Sequence, residues 1–429
     1  METKGKKIIG IQEKPPVGKW IPLSIQHTFA MFSASVVVPV ILGLPPSIVL
    51  LMNGIGTLLF ILITQGKAPA YLGSSFAILA PAGLVIASHG GDYSYALGGF
   101  VVMGAIFAAV AILIKFVGVN WIDAVLPPAA MGPIVALIGL ELAGTAASSI
   151  VSVDGTPLDP KVVFVFIFTL ALAVIGQVVF RGFASAIAIL IAIIVGYALA
   201  GFMGLVDFSG VKDASILALP QFCFPKFDVA SIVMIIPASL TIISEHISHQ
   251  IVTGEIVEKD LIRDPGLHRS LLADGCSTML SGFCGAVPTT TYGENIGVMA
   301  VTKVYSVWVI GGAAVFSILL SFFDQVSALI NAIPAPVMGG ISFLLYGMIA
   351  ASGIRLIVDS KVDYSKPRNL AMTSVIFVTG LSGASITIGQ VQLTGMCLAT
   401  IVGIVMGLLM FAIDKFGWAN DKEETDGAA

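Results

Sequence analysis

Apolar residues in this chain fall into long runs separated by short polar breaks. Fourteen runs stand out, at residues 21–42, 47–65, 69–88, 95–116, 124–146, 161–180, 182–204, 229–256, 268–286, 288–302, 304–323, 326–351, 368–387 and 391–414. About 20 consecutive apolar residues cross a bilayer as a helix, so most of these runs predict membrane-spanning helices. The tenth is too short to cross as one regular helix. Its approach reads Val287-Pro288-Thr289-Thr290-Thr291-Tyr292-Gly293-Glu294. β-branched threonines favour extended backbone. The pattern predicts a short extended piece, a break, and a half-length helix beginning near Glu294. The third run opens in the same way, with Ala68-Pro69-Ala70-Tyr71-Leu72-Gly73-Ser74-Ser75-Phe76. Irregular backbone at membrane depth survives only when it is buried in protein or faces a cavity. A half-helix start offers free N–H groups and a positive dipole end. Two such breaks in corresponding places are the pattern of a transporter binding site.

Composition agrees with the runs. The 429 residues are 57% hydrophobic and 11% charged, with 46 glycines and 21 prolines, whereas a soluble domain carries about 25% charged residues. The chain is therefore expected to be polytopic, with the lipid bilayer as its solvent. Glycine and proline at this frequency suit close helix packing and broken helices. No basic cluster with interleaved aromatics suggests nucleic acid. Cys223, Cys276, Cys284 and Cys397 lack metal-ligand spacing, so neither a metal nor a disulfide framework is expected. The first twenty residues are polar and carry Lys4, Lys6, Lys7, Lys14 and Lys19. The run behind them is too long for a signal-peptide core and reads as a retained first span.

Charge fixes the expected threading. With the N-terminus in the cytoplasm and fourteen spans, only Lys161, Lys212 and Lys226 of the 21 lysines and arginines fall outside. That asymmetry is what the positive-inside rule requires, and both termini are then cytoplasmic. The two halves also echo each other. Pro127-Pro128-Ala129-Ala130-Met131-Gly132-Pro133-Ile134 matches Pro334-Ala335-Pro336-Val337-Met338-Gly339-Gly340-Ile341, Gln26-His27 matches Glu245-His246, and Ser75-Phe76 matches Gly293-Glu294. A shift of seven spans is odd, so the second copy would run through the membrane upside down.

Glu141, Glu245 and Glu294 lie deep in spans, as do His27, His246 and His249, with Asp274 nearer a span end. A charge at mid-bilayer costs about 2.5–3.5 kcal/mol on insertion scales, and folding does not require it. Glu245 and His249 are four apart and share a helix face, whereas His246 points about 100° away. The first two could line one cavity while His246 packs elsewhere. A buried acid can also simply glue helices, and a buried neutral imidazole can hold a hydroxyl. Gln26-His27 could do no more than brace the broken segments. No role is assigned to Glu141 or Asp274.

Two acids at facing half-helix starts suit a neutral ligand with adjacent N–H donors and C=O acceptors. The carboxylates accept from N–H, backbone N–H groups at Phe76 or Gly293 donate to C=O, and Phe76 and Tyr292 can flank a flat ring. Such an acid can also exchange a proton and couple ligand movement to a proton gradient. Lysines and arginines occur in spans only near their ends, which argues against sulfate or phosphate as cargo. Glu245 and His249 lack the third group an enzyme would want, so no catalytic residue is assigned.

Glu294-Asn295-Ile296-Gly297-Val298-Met299-Ala300-Val301-Thr302-Lys303 resembles the signature of the nucleobase–ascorbate transporter family, and Gln26-His27 looks like its second motif. Further similar stretches are Pro69–Ala77, Gly139-Leu140-Glu141-Leu142-Ala143-Gly144, Asp264-Pro265-Gly266-Leu267-His268-Arg269-Ser270 and Thr291–Asn295. The resemblance implies an all-α polytopic fold of fourteen spans in two inverted seven-span repeats, with short strands in spans 3 and 10. It implies a core domain from residues 21–118 and 229–323 and a gate domain from 119–204 and 324–414. Residues 205–228 would be an extracytoplasmic loop, and 1–20 and 415–429 cytoplasmic ends. The implied activity is proton–uracil symport at the cell membrane by alternating access of core against gate, with no cofactor beyond the proton gradient. Phe76, Glu245, Tyr292, Gly293 and Glu294 would hold the ring. Glu294 or His249 would couple the proton, with Ser342 and Tyr346 as gate-side partners. Gln26, His27, Asn295 and Thr302 would support the site. Family members are often dimers, so a homodimer is implied. The purine branch usually has Gln where Glu294 stands, so Glu294 tilts the expectation to uracil over xanthine or urate. An anion exchanger or channel on the same fold is the remaining alternative.

Overall fold

The computed structural model describes residues 8–151, 158–181, 183–388 and 391–418. Lys4, Lys6 and Lys7 of the expected N-terminal segment, and the tail from residue 419, lie outside the described residues. The longer helices, in chain order, are α1 (Val17–Leu42), α2 (Pro46–Ile63), α3 (Leu79–Ser88), α4 (Ser94–Val117), α5 (Pro128–Glu141), α6 (Pro160–Val179), α7 (Ala188–Phe202), α8 (Val229–Val257) and α9 (Leu267–Cys284). They continue with α10 (Gly293–Thr302), α11 (Val307–Ser321), α12 (Ala335–Asp359), α13 (Pro367–Leu381) and α14 (Gly395–Phe416). Four strands accompany them: β1 (Leu72–Ser74), β2 (Thr289–Thr291), β3 (Ser385–Ile388) and β4 (Val391–Thr394).

Among the described residues, α2, α4, α6, α8, α12 and α14, together with Pro128–Ala147, are long and apolar enough to cross a membrane. The expected runs at 69–88 and 288–302 resolve as predicted into a strand and a ten-residue helix, β1 with α3 and β2 with α10. At 1.5 Å per residue each helix is about 15 Å long, half the hydrocarbon thickness.

Prolines set where helices begin. Pro46, Pro128, Pro160 and Pro367 occupy the first helical turn, where their missing N–H costs no hydrogen bond. This corrects two expected boundaries. The run at 124–146 is broken after a short helix at Asn120–Val125 and starts its long helix only at Pro128, and the run at 326–351 starts its long helix only at Ala335. Residues Asp324–Asn331 form a separate short helix bent 85° from α11, and Pro334 and Pro336 after it prevent the chain from continuing it into α12. The run at 368–387 likewise ends early, at Leu381, and gives way to the β3–β4 hairpin. Ser385-Ile386-Thr387-Ile388 has three consecutive β-branched residues with the apolar ones at alternate positions, a strand signal concealed inside an apolar run.

Helices pack in two groups. In one, α4 lies on α9, α2 on α9 and α11, and α1 on α11. In the other, α5 and α6 lie on α12, and α13 on α14. Each group contains a crossing of two glycines. A Cβ on Gly104 would come within 2.6 Å of the Gly275 carbonyl oxygen, and one on Gly275 within 2.7 Å of that of Gly104. In the second group a Cβ on Gly132 would approach the Gly353 carbonyl oxygen to 2.9 Å, and one on Gly353 that of Gly132 to 2.5 Å. Such pairs let helix backbones touch, the main source of association where lipid removes the hydrophobic drive. Gly104→Val should therefore lower stability by roughly 1–3 kcal/mol through overpacking, read as a reduced melting temperature in detergent. Gly297→Ala, at a helical position with open space beside it, should leave the melting temperature unchanged.

Candidate functional site

The two broken segments meet. β1 and β2 pair antiparallel with Leu72 opposite Thr291, Gly73 opposite Thr290 and Ser74 opposite Thr289. Ser75 N donates to Pro288 O at 2.9 Å, and Tyr292 N to Tyr71 O at 3.3 Å, extending the ladder at both ends. The chain therefore enters α3 and α10 from opposite ends of one small ribbon. Each strand is held from behind by a threonine. Thr57 of α2 accepts from Leu72 N at 2.9 Å, and its proton is shared between Asn53 O at 2.8 Å and Leu72 O at 3.3 Å. Thr278 of α9 accepts from Thr289 N at 3.2 Å and donates to Thr289 O at 3.1 Å. These hydroxyls satisfy outward-facing backbone groups that lipid could not.

Beside the ribbon lies a cavity of about 500 Å³. Phe76, Glu245, His249, Tyr292, Gly293 and Glu294 all line it. Glu245 and His249 come from one face of α8, as their spacing predicts. His249 Nδ1 lies 3.2 Å from Thr291 Oγ1, and its ring sits against Gly293, where a Cβ would be 3.3 Å from Nε2. Tyr292 crosses the ribbon and donates its hydroxyl to Ser74 O at 3.1 Å. Its ring occupies the space a side chain on Gly73 would need. Glu245 Oε2 is buried without a hydrogen-bond partner among the described residues.

The other expected site residues stand behind or beside the cavity. Asn295 Oδ1 lies 3.1 Å from His27 Nδ1, which ties the start of α10 to α1. Gln26 and His27 are both buried in α1. Thr302 Oγ1 donates to Val298 O at 2.7 Å and accepts from Val304 N at 3.3 Å, closing the far end of α10. Ser342 and Tyr346 are buried on α12. Tyr346 meets Phe76 edge to face, with ring centroids 6.1 Å apart. His246 turns away from the cavity: its Nδ1 lies 3.0 Å from Asp274 Oδ2 and its Nε2 3.0 Å from Ser270 Oγ. Asp274 is thus buried and partnered on α9. Glu141 Oε2 accepts from Met396 N at 2.9 Å and so caps the start of α14.

The opposite wall escaped the sequence reading. It includes Leu345, Met348, Ile349, Ser352 and Arg355 of α12, with Gln177 and Ser185 nearby. Positions 345, 348, 349 and 352 follow helical spacing, a signal that was present but concealed in an all-apolar run. Arg355, Gln177 and Ser185 place the mouth of the cavity at the C-terminal end of α12. Arg355 is the one cation among the lining residues, and its Nε lies 3.1 Å from Asp359.

The model of the Permease family (Xan_ur_permease) matches residues 18–389. The chain belongs to this family. The resemblance carried by Glu294–Lys303 and Gln26-His27 therefore holds. This permease is 53% identical over 420 residues to "Uracil permease" of Paenibacillus larvae, covering 97% of this chain and 99% of that one. It is 54% identical over 406 residues to "Uracil permease" of Escherichia coli K12, covering 94% of each chain. Among solved structures, the transmembrane domain of the cyanobacterial bicarbonate transporter BicA matches with a TM-score of 0.61 at 12% identity, covering 95% of this chain and 99% of that one. The overall structure of SLC26A9 matches with a TM-score of 0.63 at 11% identity, covering 94% and 66%. Those two likenesses establish the fold of a multi-pass membrane protein. In this permease, Thr278→Val should orphan both backbone groups of Thr289 and cost about 1–3 kcal/mol. Hydrogen exchange followed by mass spectrometry should show faster exchange at Thr289 while the Thr57–Leu72 clamp stays protected.

Proposed function

We propose that this permease is a proton–uracil symporter that imports uracil across the cell membrane. The observation that carries the reading is one cavity lined by Glu245, Glu294 and the starts of two half-helices. Uracil presents two ring N–H groups and two carbonyls around one flat ring. Glu245 and Glu294 are placed to accept from N–H, the backbone at Phe76 and Gly293 to donate to C=O, and Tyr292 and Phe76 to pack the ring. The relatives named uracil permease support this cargo. Arg355 at the mouth, held by Asp359, leaves the cavity floor without a fixed cation for an anion.

Glu294 or His249 takes up the coupled proton, and Ser342 with Tyr346 is the gate-side partner. His27, Asn295, Gln26 and Thr302 keep α10 in place. The fourteen spans form two inverted repeats, and the paired clamps support this. Thr57 lies on α2 and Thr278 on α9, seven spans apart, and each holds its own strand. The packing of α2 on α11 and of α4 on α9 is related in the same way. Residues 21–118 and 229–323 make the core domain and 119–204 and 324–414 the gate. With the termini in the cytoplasm, the open end of the cavity faces inward. Transport is a movement of core past gate, and the two facing states must bind the ring with similar strength or the cycle stalls. The family resemblance makes a homodimer the expected assembly.

Labelled uracil uptake into proteoliposomes should be driven by an inward proton gradient and left unaffected by excess xanthine. Inhibition by xanthine would move the cargo to the purine branch, and absence of uptake by folded protein would overturn the proposal. Glu245→Ala should weaken uracil binding by roughly 10- to 100-fold, the factor that corresponds to the 1.5–3 kcal/mol of a hydrogen bond to a charged group. Glu294→Gln should abolish accumulation driven by a pH gradient. Accumulation that persists in this variant would give the proton to His249.

A further inference from the structure

A second cavity, of about 680 Å³, lies away from the ribbon on the flank formed by α1, α2 and α11. Trp20, Leu58, Ile61, Trp308, Val315 and Phe316 give it an apolar lining. Trp308 and Val315 are exposed, at 45% and 46%. From Trp308 to Phe316 the groove follows α11 for about 12 Å at 1.5 Å per residue. Gly311 keeps it open, since a Cβ there would make ordinary contact with Ile61 and Leu58 and a longer side chain would enter the groove. Its upper end is polar, with Gln12, Gln65 and Gly66. There Trp20 Nε1 donates to Trp308 O at 2.6 Å. Lys14 Nζ sits above both indoles, 5.4 Å from the Trp20 centroid and 5.0 Å from that of Trp308. Among the described residues no carboxylate lies within ion-pair distance of Lys14.

The Lys14 end is held firmly against the helices. Ile9 N donates to Lys303 O at 3.0 Å, Tyr305 N to Ile9 O at 2.9 Å, and Val307 N to Ile11 O at 2.8 Å. Ser306 Oγ donates to Glu13 O at 2.6 Å. The ammonium is therefore fixed over the mouth of an apolar slot, at the level where paired tryptophans mark a membrane interface. We infer that this groove is a binding site for an anionic phospholipid, with one acyl chain between α2 and α11 and the headgroup phosphate on Lys14. Charge selects the class. A zwitterionic headgroup would bring its own cation toward Lys14, whereas a phosphatidylglycerol headgroup adds none. Lys19 lies on the same end of the chain but is not the lysine that sits over the two indoles, so it serves as the control.

Native mass spectrometry of the full chain, equilibrated with equal amounts of phosphatidylglycerol and phosphatidylcholine, tests the site without any transport readout. The wild type should retain phosphatidylglycerol in preference. Lys14→Ala should reduce that preference about fivefold, the factor that roughly 1 kcal/mol per basic residue near anionic lipid implies. Lys19→Ala should leave it unchanged, and Gly311→Leu should displace both lipids. Equal retention of the two lipids by the wild type would overturn the inference, as would full preference in Lys14→Ala or an equal loss in Lys19→Ala. A dimer that Gly311→Leu splits, with no lipid retained, would give the groove to a second copy and overturn it as well.

Discussion

Backbone hydrogen bonding in a medium without water is the constraint on which the rest of this structure depends. Two stretches of the chain abandon the helix inside the protein, and each must find partners for its N–H and C=O groups or be expelled from the membrane. The solution is mutual. Leu72–Ser74 and Thr289–Thr291 pair with each other. On their outer edges, Thr57 and Thr278 supply one hydroxyl each, and that hydroxyl both donates and accepts. A serine or threonine is the smallest side chain able to do this. Neither strand would be stable at this depth without the other, so the two halves of the chain cannot fold independently. The ribbon is at once the point of greatest folding cost and the place where half-helix starts become available to a ligand.

Glycine at Gly73 and Gly293 follows from the same constraint. The Tyr292 ring lies where a side chain on Gly73 would stand, and His249 lies against Gly293. Close approach lets a tyrosine hydroxyl on one broken segment reach a carbonyl of the other. It also brings the α8 face carrying Glu245 and His249 against the start of α10. Behind this layer polar side chains stand in pairs, His27 with Asn295 and His246 with Asp274. Glu245 differs from Asp274 by position, since it lines the cavity whereas Asp274 faces His246 at 3.0 Å on the neighbouring helix.

Much of this was legible in the sequence because the departures from the membrane-helix pattern were chemically loud. Three consecutive threonines, a proline and an acid inside apolar runs announce broken backbone, and Glu245 and His249 declare their shared face by spacing alone. What was hidden lay where the sequence is uniformly apolar. The α12 wall of the cavity has the correct helical spacing, but Leu345, Met348 and Ile349 do not differ from residues that face lipid. The β3–β4 hairpin was obscured for the same reason, since Ile386 and Ile388 extend an apolar run whether the backbone is helix or strand. Helix starts at Pro128 and Ala335 were displaced from the expected boundaries because hydropathy reports burial while proline reports geometry. Asp274 was opaque because its partner, His246, lies on another helix and 28 residues away in sequence.

The distribution of glycine crossings bears on how such a molecule can move. Gly104 with Gly275, and Gly132 with Gly353, join helices within one packing group at backbone contact. Contacts that tight leave little room to deform, so each group should behave as a rigid body. The contact between groups at the cavity is of another kind. Phe76 meets Tyr346 edge to face, and the α12 wall offers mostly smooth apolar side chains. Aromatic edges and aliphatic surfaces can slide and repack without orphaning a hydrogen bond, which a ribbon or a buried ion pair cannot do. At the cavity the contact between groups is thus mainly apolar, and the buried Thr241–Thr400 hydroxyl pair, 3.0 Å apart between α8 and α14, is a polar bond that any sliding would have to exchange. An apolar sliding surface at the cavity is what the proposed movement of core past gate would require there.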